Sequence, residues 1–147
     1  MHTVAVVLAG GTGERFGTGV PKQLLPFAGR PLIEHSVAAF DEAPAVDAVL
    51  VVMAASHVDQ VRDALVAGGY RKLAGVIPGG PTRVESTRRA ISELGSAECD
   101  VLFHDAARPL VITRSYHGVA GRDLRARPRA GRRSWLGWRS LEGACRC

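Results

Sequence analysis

The chain has 147 residues, 46% of them hydrophobic, which suffices for one modest core and is too few for two. A formal net charge of +5 invites a nucleic-acid reading, but the charge is not spread evenly: Met1 to Val111 carries ten Lys and Arg against twelve Asp and Glu, while 112–147 carries nine Arg against Asp123 and Glu142. The body is therefore mildly acidic, and neither nucleic acid nor a membrane is an expected partner.

The first apolar run, Val4 to Ala9, is too short to span a bilayer and has no basic residues before it, so the expected location is cytoplasmic. Thr3 to Leu8 is Val-rich and ends in glycines, the pattern of a strand buried on both faces of a parallel sheet. Ala9 to Val20 is then a loop holding Gly10, Gly11, Gly13, Gly17 and Gly19. Pro31 can open a helix whose stripe is Leu32, Ile33, Val37 and Phe40, closed by Pro44. Val46 to Met53 reads as a second buried strand, and His57 to Ala67 as a helix through Val58, Val61 and Leu65, stopped at Gly68 and Gly69.

A third short strand at Val76 and Ile77 runs into Pro78, Gly79, Gly80 and Pro81. Thr82 with Glu85 three residues later is a capping box that opens a helix through Ile91 and Leu94. Val101 to Phe103 is the fourth strand, and it delivers His104, Asp105, Ala106, Ala107, Arg108 and Pro109 at its carboxyl end. Strand and helix alternate throughout, which predicts an α/β fold: an open, mostly parallel Rossmann-like sheet with helices on both faces. Such sheets bind ligands beyond the carboxyl ends of their strands, where all three conspicuous loops fall.

The first loop, L-A-G-G-T-G-E-R-F-G-T-G-V-P-K-Q-L, combines glycines that bring backbone N–H groups close to an anion with the cations Arg15 and Lys22. A triphosphate suits it. It is not a Walker A loop, since no Gly-Lys-Ser/Thr closes it, and Phe16 stands where a dinucleotide fingerprint needs its third glycine. Asp105 ends an apolar strand where a carboxylate can hold a hard cation such as Mg²⁺ together with phosphate oxygens, or equally cap a following helix. His104 reads as a packed strand-end residue, and Arg108 as either a phosphate clamp or a partner for Asp105. Cys99, Cys145 and Cys147 lack paired CxxC spacing, so neither a metal nor a disulfide is assigned to them.

L-A-G-G-T-G-E-R with P-K-Q, then G-G-P-T-R-V-E-S, then H-D-A-A-R-P, in this order, resemble the three signatures of the 2-C-methyl-D-erythritol 4-phosphate cytidylyltransferases, within the nucleotidyltransferase superfamily. The resemblance runs from Met1 to about Val111, with Thr87 where the family usually has valine. It implies transfer of CMP from CTP to 2-C-methyl-D-erythritol 4-phosphate with release of pyrophosphate, a step of non-mevalonate isoprenoid synthesis. It also implies roles. Arg15 and Lys22 would be catalytic, steadying the charged transition state. Ala9, Gly10, Gly11, Gly13, Gly80, Ser86 and Arg108 would bind substrate, and Asp105 would hold Mg²⁺. The competing readings are a cytidylyltransferase for another polyol phosphate, such as ribitol 5-phosphate, and a non-catalytic nucleotide-binding remnant.

The resemblance implies a homodimer whose arm is expected to be missing, because nothing after Val111 to Arg114 fits the family pattern. Two domains are therefore expected: 1–111, an incomplete nucleotidyltransferase domain truncated after the fourth strand, and 112–147, an Arg/Gly-rich tail. That tail, without Lys and without helix or strand periodicity, reads as a disordered, out-of-frame translation of GC-rich sequence. Its rival reading is a basic nucleic-acid tail with Trp135 and Trp138 as stacking groups. Turnover by the chain is expected to be impaired.

Overall fold

The computed structural model describes residues 2–10, 21–96 and 98–108. Gly11, Gly13, Arg15 and the 112–147 segment lie outside the described residues.

Strand β1, His2–Ala9, is buried from Thr3 onward, as an apolar run must be when helices cover both faces of its sheet. It pairs in parallel with β4, Ala48–Met53, on one side and with β6, Cys99–Asp105, on the other. Strand β5, Leu73–Pro78, pairs in parallel with the far edge of β4. The order β5-β4-β1-β6 places the first strand of the chain inside the sheet and reverses direction between β1 and β6. In open α/β sheets that reversal opens a crevice at the strands' carboxyl ends.

Helix α1, Leu32–Glu42, follows Pro31, whose φ of −54° already suits the helix start. Its buried positions Ile33, Ser36, Val37 and Phe40 repeat at helical spacing. Helix α2, Val58–Ala67, buries Val58, Val61 and Leu65 and is followed by Gly69 at φ +70°. Both helices cover one face, sharing a cluster with Ala5, Val7, Ala9, Val49, Val51 and Met53. Helix α3, Arg83–Leu94, lies on the other face, where Ala90 and Leu94 meet Val4, Val6, Leu8, Leu50 and Val52. Successive side chains of β1 thus point to opposite layers, as the pleat requires. The expected open sheet with helices on both faces is present.

Three boundaries differ from the expectation. Ala9, expected in the first loop, is the last residue of β1 and is fully buried in the core. The second strand begins at Ala48 and not Val46, because the Val46 amide closes a turn by donating to the Ala43 carbonyl. The third strand is longer than Val76 and Ile77. An added feature is a small hairpin of β2, Pro26–Phe27, and β3, Arg30–Pro31, turned by Ala28 at φ +47° and Gly29 at φ +86°. Both turn residues have positive φ, as tight hairpins need for their strands' twist.

Candidate functional site

The first loop leaves β1 at Gly10, and its far end returns at Pro21. There a short 3₁₀ turn, Lys22–Leu24, closes with the Leu24 amide donating to Pro21 O at 2.9 Å and the Leu25 amide donating to Lys22 O at 3.1 Å. Pro21 and Gln23 are buried and Leu24 packs against the α1 core, so the backbone is pinned on both sides of Lys22 while Lys22 itself is exposed. A cation on a pinned backbone is already directed before any ligand arrives.

The second loop leaves β5 at Pro78. Its Gly79 amide donates to Met53 O at 2.7 Å, tying it to the end of β4. Thr82 caps α3, its hydroxyl oxygen accepting from the Glu85 amide at 3.2 Å and its proton going to Glu85 Oε2 at 3.2 Å. This is one arm of the expected capping box, with the hydroxyl and not the Thr82 amide reaching Glu85. One turn into α3, the 3% exposed Ser86 accepts from the Gly80 amide at 3.1 Å and donates to Gly80 O at 3.3 Å. A Cβ on Gly10 would lie 3.0 Å from Ser86 Oγ, and one on Gly79 would lie 2.9 Å from it. A Cβ on Gly80 would overlap that of Glu85. Ser86 is therefore wedged where the first and second loops touch, and glycine is required there because of close approach. Arg89, a turn further on, donates to Gly79 O at 2.9 Å.

The third loop is set by the β1–β6 register, which puts Asp105 beside Leu8 and His104 beside Val7. Alternation decides where each points. His104 shares the α1 side with Leu102 and Ala106; it is buried, meets the Phe40 ring edge-on at 5.3 Å and donates from Nε2 to Arg108 O at 3.0 Å. Burial pushes its imidazole below the usual range, against the opposing effect of that hydrogen bond. It is a packing residue, in agreement with the sequence. Asp105 shares the α3 side with Val101 and Phe103. Its Oδ1 accepts from the Ala107 amide at 3.1 Å, and its Oδ2 lies 3.4 Å from Arg83 Nη1.

Of the two roles weighed for Arg108, partnership with Asp105 is made by its backbone alone, the Arg108 amide donating to Asp105 O at 3.0 Å while its side chain is exposed. The side-chain partner of Asp105 is Arg83, which sequence reasoning passed over. The available signal was parity: Asp105 is two residues from Phe103 and so lies on the face that the helix beginning at Arg83 covers.

The structure thus brings Gly10, Gly80 and Ser86 together, and joins the second loop to the third through Arg83 and Asp105. Among the described residues no group of three or more His, Cys, Asp or Glu could hold a metal ion, so no all-protein cage exists there. A single half-exposed carboxylate with one amide-fixed oxygen instead fits a hard cation that takes its other ligands from phosphates and water.

A parallel sheet reversing direction at its first strand, with the second loop and the aspartate turn at the carboxyl ends of its strands, is the architecture of the nucleotidyltransferase-type α/β folds. The family model of 2-C-methyl-D-erythritol 4-phosphate cytidylyltransferase matches residues 3–124, and the chain belongs to this family. That match runs to residue 124, beyond Val111 to Arg114, after which the sequence motifs lead one to expect no further likeness to the family. The family enzyme of Thermobifida fusca is 46% identical over 116 residues, covering 78% of this chain and 47% of the relative. A bifunctional ribulose 5-phosphate reductase/CDP-ribitol pyrophosphorylase of Haemophilus influenzae is 34% identical over 112 residues, covering 75% of this chain and 24% of the relative. A crystal structure of a 4-diphosphocytidyl-2C-methyl-D-erythritol synthase superposes with a TM-score of 0.62 at 27% identity, covering 79% of this chain and 51% of that one. The chain spans about half the length of the curated family members it matches.

Proposed function

We propose that this chain carries the CTP-binding part of a cytidylyltransferase that moves CMP from CTP to 2-C-methyl-D-erythritol 4-phosphate, releasing pyrophosphate. The observation that carries this reading is the meeting of Gly10, Gly80 and Ser86 at one rim of the crevice, with Asp105 beside Leu8 at the other. Backbone amides of a glycine loop suit a polyphosphate, and a cation directed from the pinned turn at Lys22 suits the charge that develops on it. Arg15 would share that task, while the loop backbone from Ala9 through Gly13, with Gly80 and Ser86, would seat the nucleotide. Ser86 would act through the Gly80 amide it holds as much as by touching the ligand. The Arg108 side chain is exposed, which suits the phosphate role left open to it. Mg²⁺ bound at Asp105 would neutralise phosphate charge and orient the triphosphate.

The Haemophilus influenzae relative, a CDP-ribitol pyrophosphorylase, keeps ribitol 5-phosphate in play as acceptor, but the family match and the higher identity to methylerythritol phosphate enzymes favour methylerythritol phosphate. Pyrophosphate release from CTP, measured with methylerythritol phosphate and with ribitol 5-phosphate in parallel, separates the two. Release with the first acceptor alone supports this reading; release with the second alone replaces it. CTP binding without release from either would make the chain a nucleotide-binding protein.

A further inference from the structure

The Arg83–Asp105 pair poses a problem that helix physics does not solve. Arg83 is the first residue of α3, and a cation at that end opposes the helix dipole. Its side chain is 65% exposed, so it covers little apolar surface. Its polar partner among the described residues is the carboxylate of Asp105, 22 residues away in the chain and on a different loop. That carboxylate is held in a fixed orientation by the Ala107 amide on Oδ1, leaving Oδ2 to face Arg83 at 3.4 Å.

We infer that Arg83 is the resting counter-ion of Asp105, displaced from Oδ2 when a divalent cation binds, and that its guanidinium then contacts the nucleotide phosphates which that cation draws in. The inference rests on the proposed cation role of Asp105. A long, half-exposed ion pair is weak and gives way to a doubly charged ion that binds carboxylate oxygen at about 2.0–2.1 Å. A cation held by Asp105 would be incompletely ligated by one carboxylate and would take phosphate oxygens as its further ligands at the same spot. A planar guanidinium displaced by only a few ångströms then finds anionic oxygens within reach, and its forked donors match them. The position is anchored independently of this exchange, because Ser86 and Arg89, on later turns of the same helix, fasten α3 to Gly80 and Gly79. Only the Arg83 side chain needs to move.

The exchange predicts two effects of opposite sign. In Arg83→Gln, calorimetric titration with Mn²⁺ alone should show binding tightened by about twofold to fivefold, since a competing cation has been removed. CTP titrated in the presence of saturating Mn²⁺ should bind about tenfold more weakly, since a charge-assisted phosphate contact has gone. Arg83→Lys, which keeps charge but not the fork, should leave Mn²⁺ affinity near that of the unaltered chain and still weaken CTP. Unchanged or weaker Mn²⁺ binding in Arg83→Gln, with Asp105→Asn abolishing it, would overturn the counter-ion role alone. Mn²⁺ binding that survives Asp105→Asn would overturn the cation role of Asp105 and the exchange together.

Discussion

The two faces of the sheet are built for different work. On the α1–α2 face, Phe40, Ile33, Met53, Leu65 and a row of valines are completely or almost completely buried, and the buried polar side chains packed among them include Ser36 and His104. On the α3 face the cluster is smaller, and the first turns of α3 carry the buried Ser86 and the exposed Arg83 and Arg89, each bonded to a loop at the carboxyl edge. One face therefore supplies the cohesion of the domain, and the other uses a helix as a bracket for the site. Stability and ligand affinity should accordingly respond to different residues.

The largest effect should come from the cohesive face. Phe40→Ala removes a fully buried ring against both the core and His104, and should cost about 3–5 kcal/mol in denaturant unfolding. A loss below about 1 kcal/mol would show that the α1 face is not the main core. Next, Lys22→Ala should weaken CTP binding about tenfold or more while leaving the melting temperature unchanged, because the side chain is exposed and the backbone anchors on either side remain. Equal CTP affinity by calorimetry would remove Lys22 from the site.

Ser86→Ala sharpens the contrast from the bracket side. It strips the Gly80 amide and carbonyl of their buried partner and should cost about 1–3 kcal/mol of stability, with CTP affinity reduced in the same variant. Loss of stability without loss of affinity would confine Ser86 to packing. Asp105→Asn should have a smaller effect on stability, under about 1 kcal/mol, since an amide oxygen can still accept from Ala107 and the Arg83 pair is exposed. It should nevertheless abolish the metal dependence of CTP binding, read by titrating CTP with and without Mg²⁺. The smallest expected effect is Ala28→Asn, which places a residue tolerant of positive φ in the hairpin turn and should raise stability by about 0.5 kcal/mol.

Much of the fold was legible because burial on both faces leaves continuous apolar runs, as in Thr3 to Leu8, and because Pro31, Thr82 and Glu85 mark helix starts with direct physical signals. The hairpin at Phe27 was not legible, since strands of two residues carry no periodicity and its turn is Ala-Gly and not Asn-Gly. Strand β5 was seen only in part because Gly75 interrupts its apolar run. At the site, loop composition pointed to the anion-binding character of Gly10 and Gly80, but contacts made across loops were hidden. Nothing local in the sequence says that Ser86 meets Gly10, or that Arg83 faces Asp105, since both contacts depend on how α3 crosses the sheet. Asp105 was ambiguous for a physical reason: one oxygen does bond a backbone amide, and the other is the one a cation would use.

The position of β1 between β4 and β6 also bears on how the chain is made. Val4 lies beside Ala48 on one side and Val101 on the other, so β1 is made before both of its neighbours and is enclosed only once β6 has emerged. At elongation rates of about 5–20 residues per second, β1 waits roughly 5–20 s for β6 with an edge of valines unpaired. Parallel pairing across such separations is slow in any case. The nascent chain should therefore be a client for holding chaperones during that interval, and slowing translation between β5 and β6 should lengthen its exposure.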